Sequence, residues 1–348
     1  MRNFDYGKLK EKNWDNEMMN LIAQIHEYKV RQELYFKQQP EQLNRLIEIA
    51  KVQSTEASNA IEGIRTTNTR LQQLVEDKTT PRNRAEEEIM GYRDVLNTIH
   101  ESFEYILIKP NYILQLHKNL FQYSESGIGG QFKNTQNYIS ATDQFGNSFV
   151  LFTPVSPWET PMAIESICNE LNRAIAEKEI DALILIPIFI HDFLCIHPFR
   201  DGNGRMSRLL TTLLLYQNGY MVGKYISLES KIAKNKELYY QSLENCQTGW
   251  NENQEDPTPF IKYLLRIILA AYRDFEDRVN LVSEKLPALE VVRRAVFQKI
   301  GKFTKSDILE LCPTLSIASV ESSLKKLVET DIIERHGSGR STFYTRVQ

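Results

Sequence analysis

The chain is poor in cysteine, proline and glycine, and each shortage narrows what it can be. Four cysteines in 348 residues, Cys168, Cys195, Cys246 and Cys312, stand far apart and show no metal-ligand spacing. They exclude a disulfide-built scaffold and suit reduced thiols, with Cys195 read as packing rather than as a nucleophile. Only 12 prolines and 15 glycines are present, with six of them grouped in 127–157 and two glycines in the C-terminal hairpin, so most of the chain reads as helical. There is no internal repeat, low-complexity tract or long linker. The N-terminus lacks an apolar signal segment, and no apolar run is long enough to span a bilayer, which predicts a cytoplasmic chain without a membrane partner. Charge of either sign is not in excess, at −3 overall. A hydrophobic fraction of 42% supports real cores and two or three domains.

What is present is concentrated in His197-Pro198-Phe199-Arg200-Asp201-Gly202-Asn203-Gly204-Arg205-Met206-Ser207-Arg208. The apolar run Leu209–Leu215 follows and Gly219 supplies a stop, so the segment opens a helix. A helix N-terminus offers unpaired N–H groups and the positive end of the macrodipole, and therefore attracts anions. Glycine at 202 and 204 lets the backbone approach a ligand. Arg205 and Arg208, three apart, share a face and can grip one phosphate chain. Asp201 suits a hard cation such as magnesium, which takes carboxylate and phosphate oxygens together. His197 is the natural general base, since its ordinary pKa lies near neutrality. His117 and His191, by contrast, read as core histidines.

The same twelve residues fill every specified position of HPFx(D/E)GNGRxxR, and the chain thereby resembles the Fic family over about 40–285. The resemblance implies a helical domain that moves AMP from ATP, with magnesium, to a Ser, Thr or Tyr hydroxyl of a protein, the chain itself included. It implies that His197 deprotonates the hydroxyl and Asp201 holds magnesium. Gly202, Asn203 and Gly204 would form the anion hole, with Asn203 orienting the α-phosphate. Arg205 and Arg208 would bind the β- and γ-phosphates, and Phe199 would anchor the loop.

Upstream, 41–62 has helical periodicity, and Gly63 falls where a C-terminal cap belongs. Glu62 then lies in the last turn, against the preference of the macrodipole, as expected of a carboxylate paired with a cation elsewhere. Ser58-Asn59-Ala60-Ile61-Glu62-Gly63 fits the family's (S/T)xxxE(G/N) inhibitory pattern. The resemblance implies an ion pair from Glu62 to Arg208 in the γ-phosphate place, with Ser58 helping to hold the helix of 41–63. It also leaves open a hydrolytic role for Glu62 in removing AMP.

Residues 127–157 break the helical pattern. Asn137-Tyr138-Ile139-Ser140 and Ser148–Phe152 alternate as short strands around Gln144-Phe145-Gly146-Asn147, a hairpin within 134–153 whose free edge can take an extended peptide. In the family such a flap docks the target, which assigns Tyr138, Ile139 and Ser140 to docking. Downstream, Ser227–Ser230 leads into a helix with Asn235, Tyr239 and Tyr240, which resembles the family's adenine side and makes these three ATP-binding candidates.

The C-terminal stretch 285–348 holds eleven Lys and Arg against seven acids. Its pattern reads as helices 288–300, 304–311 and 317–330, with Thr304 and Ser316 as N-caps, then a hairpin around 336–339. This resembles a winged helix, a module that commonly binds DNA, with 317–330 as reader although Glu321 and Glu329 lie on it. The expected organisation is mainly α: an N-terminal helical region 1–100 (core at Trp14, Leu21, Ile22 and Ile25), a Fic catalytic domain 101–284 with its flap, and a winged-helix domain 285–348. Two other readings remain at this point. One is a DNA-binding regulator that senses nucleotide through its Fic site; the other is a transferase using another donor. A homodimer is compatible with either.

Overall fold

The apolar runs on either side of the motif become two helices buried nearly all round, and the rest of the chain wraps them. The computed structural model describes residues 2–38, 40–142, 146–282, 287–299 and 301–347. In chain order, α1 (Asn16–Gln38), α2 (Pro40–Ile61), α3 (Asn68–Val75), α4 (Arg84–Ser102) and α5 (Pro110–Leu120) precede a hairpin of β1 (Ile139–Thr142) and β2 (Ser148–Phe152). Next come α6 (Thr160–Glu177), α7 (Ala182–Ile196), α8 (Asn203–Gln217), α9 (Leu228–Lys234), α10 (Lys236–Gln247) and α11 (Thr258–Val282). The chain closes with α12 (Ala288–Gln298), α13 (Lys305–Leu311), α14 (Ile317–Glu329) and the hairpin β3 (Ile333–His336) and β4 (Phe343–Arg346). The mainly helical class expected from composition is the observed one. No described helix is long and apolar enough to cross a membrane.

Every residue of α7 from Leu183 to Ile196 is buried, as are Met206 to Tyr216 of α8. Helices apolar on all sides belong in an interior. They pack against each other, with α6 and α11 also on α7 and α4 also on α8, so the loop between them emerges from the centre of the molecule. One core runs from Phe4 to Val279 and includes Met18, Ile25, Leu46, Tyr92 and Ile99 along with Phe193 and Leu210. The expected division between 1–100 and 101–284 is therefore not a division of cores. α1 packs along α11, and α2 packs along α9 and against α4, so the apolar faces of both are buried by elements beyond residue 100 as well as before it. The boundary at 284/285 lies outside the described residues.

Close packing of α4 on α5 depends on one glycine. A Cβ at Gly91 would lie 1.9 Å from the Leu120 carbonyl oxygen. Gly91→Ala must push the helices apart and should destabilise the fold by roughly 2 kcal/mol, the scale of an overpacked core. The midpoint of urea unfolding measures it; an unchanged midpoint would contradict this packing.

The C-terminal segment has a separate core of Val292, Val296, Ile308, Val320, Leu324 and Leu327. Its three helices and hairpin follow in the expected order, with a Thr304–Asp307 capping box and Ser316 accepting from the Ser319 N–H. Two details differ. α12 stops at Gln298, and His336 belongs to β3 rather than to the turn. On the expected reader helix, Glu321 takes Lys305 (2.6 Å) and Glu329 faces Lys325 (3.8 Å), so acids there answer two of the lysines that a phosphate backbone would need.

Candidate active site

The loop from α7 to α8 begins with a backbone reversal at the histidine itself. His197 takes φ 52, ψ 62 as the C-cap of α7, a conformation few non-glycine residues hold. Its Nδ1 lies 3.3 Å from the Leu194 carbonyl, an interaction that requires Nδ1–H and leaves Nε2 as the acceptor. Burial pushes its pKa down to about 4. After Pro198 the Phe199 ring is fully buried, and Gly202 (φ 84) caps α8.

Four side chains hold this loop. Asn203 accepts from the Phe199 N–H (2.9 Å) and donates back to the Phe199 carbonyl (2.8 Å). From the hairpin side, Lys133 donates to the Ile196 carbonyl and to Asn137 Oδ1 (both 2.9 Å), and its burial lowers its pKa to about 8. Asn137 donates to the carbonyls of Phe199 (3.0 Å) and His197 (3.2 Å). On the opposite side, His117 stacks on Phe199 and reaches the Asp201 carbonyl at 3.0 Å.

The anion place at the start of α8 holds a carboxylate of the chain's own. α2 ends at Ile61, and Glu62 is its C-cap rather than a member of its last turn. The Gly63 N–H bonds to the Ala60 carbonyl and the Ile64 N–H to the Asn59 carbonyl, closing a Schellman turn with Gly63 at φ 81. Glu62 Oε1 accepts from Arg208 Nη2 at 2.8 Å, and a Cβ on Gly204 would stand 2.3 Å from that oxygen. The Arg208 guanidinium is buried, donating also to Ser58 Oγ (2.8 Å) and to the Ser58 carbonyl (2.9 Å). Lys236 caps α2 by donating to the Ile61 carbonyl at 2.5 Å.

Residues 107–215 match the model of the Fic/DOC family. That stretch is a Fic domain. It is 25% identical over 206 residues to Protein adenylyltransferase fic-1 of Caenorhabditis elegans, covering 58% of this chain and 36% of that one. Protein adenylyltransferase Fic of Nematostella vectensis is 26% identical over 238 residues, 64% of this chain and 48% of that one. The chain thus spans less than half the length of these curated relatives. Among solved structures, a Fic family protein from Desulfovibrio desulfuricans G20 superposes with a TM-score of 0.64 at 20% identity, covering 97% of both chains. A Fic domain containing signaling protein from Bacteroides thetaiotaomicron gives 0.61 at 23% identity, covering 74% of this chain and 95% of that one. These two likenesses speak for the fold.

Within this Fic fold, several expected assignments change. Both polar atoms of the Asn203 side chain bond to Phe199, so it fastens the loop, using one of its two Nδ2 hydrogens to do so. Arg205 is 1% exposed, bridged to Glu88 Oε2 at 2.7 Å and lying 3.4 Å from Asp201 Oδ1. Its guanidinium is thus engaged beneath the loop, whereas Arg208 meets the anion place. Asn235 (φ −129, ψ 44) lies at a break between α9 and α10, where one continuous helix was expected. Tyr239 is buried beside Arg208 and Tyr240 is 43% exposed. Tyr138 is exposed just before β1, while Ile139 and Ser140 are in it. The strand starts two residues later than expected because Asn137 is turned to the loop. Ser140 pairs with Val150, and Phe149 and Val150 are exposed on β2. Gln144 and Phe145 of the expected turn lie outside the described residues.

Sequence reasoning missed Glu88. Removing its charge strands the Arg205 guanidinium in the interior, and breaking a buried pair costs on the order of 3 kcal/mol. Glu88→Gln should lower unfolding stability by about that much; a loss under about 0.5 kcal/mol in urea titration would show that Asp201 suffices for Arg205.

Proposed function

We propose that the chain is a protein adenylyltransferase that moves AMP from ATP to a Ser, Thr or Tyr hydroxyl of a protein, itself included, and that Glu62 restrains it. The observation that carries this reading is the Glu62 carboxylate on Arg208, above Gly204 at the N-terminus of α8. An anion from the chain itself occupies a place built for phosphate oxygens.

His197 Nε2 takes the proton of the target hydroxyl. That oxygen bonds to the α-phosphorus, the bond to the β-phosphate oxygen breaks, and pyrophosphate leaves. The unpaired N–H groups at the start of α8 and the Arg208 guanidinium stabilise the charge on the phosphates. Asp201 fits a magnesium ion: its carboxylate is 42% exposed beside these N–H groups, and magnesium is commonly held by one carboxylate with substrate phosphates. Bound there, the ion would neutralise phosphate charge. Among the described residues no group of three or more His, Cys, Asp and Glu is placed to hold a metal ion, so the protein's share would be this one carboxylate. The edge of the β1–β2 hairpin suits an extended target segment, with Tyr138, Ile139 and Ser140 at it.

Intact-mass spectrometry after incubation with ATP and magnesium tests the reading on the unaltered chain, Glu62→Gly, His197→Ala and the double variant. Expected is addition of AMP masses to Glu62→Gly, little on the unaltered chain and none in either protein with His197→Ala. Addition of another mass, or addition with a different nucleoside triphosphate only, would replace the donor; no addition to any protein, with or without added lysate proteins, would overturn the reading.

A further inference from the structure

His117 lies outside the motif, on α5, and is wholly buried. A histidine on an apolar helix face ordinarily packs and does nothing more. This one makes three directed contacts, all to the loop or to the segment that supports it. Its ring lies flat on Phe199, with centroids 3.6 Å apart and planes 2° from parallel. Nδ1 accepts from the Gly130 N–H at 3.0 Å. A ring nitrogen that accepts carries no hydrogen, so the hydrogen of the neutral ring is on Nε2. Nε2–H therefore donates to the Asp201 carbonyl, 3.0 Å away.

The Gly130 donor is itself fixed. Gly130 sits at φ +76, and a Cβ there would stand 3.0 Å from Lys118 Cβ, so glycine is required to aim that N–H at α5. The Asp201 carbonyl belongs to the peptide whose other end is the Gly202 N–H. That N–H donates to Asp201 Oδ1 at 2.5 Å. One rigid peptide plane thus connects the imidazole to the carboxylate. Turning the carbonyl away from His117 would turn the N–H away from Oδ1 and shift Gly202, whose carbonyl accepts the Met206 N–H as α8 begins.

We infer that His117 is a positioning residue for adenylyl transfer: by holding the 201–202 peptide plane it aims the Asp201 carboxylate at the metal that accompanies the nucleotide. The inference rests on the adenylyl-transfer reading for its role, and on this juxtaposition alone for its geometry.

The test uses the full chain in the Glu62→Gly background. His117→Phe keeps a flat ring against Phe199 and deletes both hydrogen bonds. His117→Gln keeps an acceptor and a donor spaced much like the ring nitrogens. Calorimetry of ATP binding across a magnesium series reads the effect without turnover, and steady-state kinetics read kcat and KM separately. With His117→Phe, the magnesium concentration that half-saturates the metal-dependent gain in ATP affinity should rise at least tenfold. Metal-free ATP affinity should stay within about twofold and kcat should fall at least tenfold; His117→Gln should recover most of both losses. An unchanged magnesium requirement in His117→Phe overturns the inference. So does a loss of affinity that is equal with and without magnesium, the signature of a packing residue only. Should His117→Phe not fold, His117→Asn, too short to reach the Asp201 carbonyl, must show the same rise. Magnesium-dependent ATP binding without AMP transfer in the Glu62→Gly protein overturns the adenylyl-transfer reading and leaves the positioning of Asp201 standing.

Discussion

Glu62→Gly raises AMP incorporation from ATP at least tenfold over the unaltered chain, read as initial rate by intact mass or radiolabel. The Glu62–Arg208 contact at 2.8 Å is charge-assisted, with Arg208 buried and Glu62 31% exposed. Hydrogen bonds to charged groups contribute about 1.5–3 kcal/mol. A nucleotide that needs Arg208 must first displace that contact, and each ~1.4 kcal/mol of opposition is a factor of ten. The carboxylate also repels phosphate and fills the space above Gly204, so its removal acts on charge and on volume together. Glycine at 62 leaves the helix end intact, because Gly63 and the Lys236 cap remain. A rate within twofold of the unaltered chain would mean that phosphate does not use the Arg208 place.

His197→Ala in the Glu62→Gly protein lowers AMP transfer by about a hundredfold or more, the range of a lost general base, while ATP affinity holds within about threefold. The pH profile distinguishes this base from an ordinary histidine. Burial lowers the His197 pKa from 6.5 to about 4, so the ring stays neutral and able to accept a proton at every pH above about 5. The kcat/KM of the Glu62→Gly protein should therefore show no acid limb near 6.5 and lose its base only as pH falls through about 4. A limb centred near 6.5 in that profile would show that His197 is solvated in the free enzyme.

How much of this was legible in the chain depended on whether a residue's partner is near it in sequence. The motif was legible because its chemistry is contiguous: reversal, glycine cap, helix start and arginines follow in order. Glu62 was legible because a carboxylate at a helix C-terminus is placed against the macrodipole, and its cation proved to be Arg208. Glu88 was not, since on its own helix it pairs four residues back with Arg84, an ordinary surface pattern, and only the packing of α4 on α8 brings Arg205 to it. Lys133, Asn137 and His117 escaped for the same reason. Each reaches the loop from another element, and the bonds that define their roles are to backbone atoms, which carry no sequence signal. Arg205 was assigned to phosphate because spacing shows which face a side chain shares, not that Glu88 lies against it; the phosphate role of Asn203 came from the family resemblance alone. The break at Asn235 was hidden by helix formers on both sides.

The sharing of one core by α2, α7 and α8 bears on how such a brake can be released. Leu46 and Ile61 of α2 are in the same cluster as Phe193 and Leu210, and Ser58 is buried against Arg208. Withdrawing the helix would expose that interior, at a cost comparable with the whole net stability of a domain, about 5–15 kcal/mol. Swinging one glutamate at the end of the helix disturbs none of it. In the proposed enzyme such a brake would therefore be a latch rather than a plug: the helix would stay where it is, and release would change the rotamer of a single side chain.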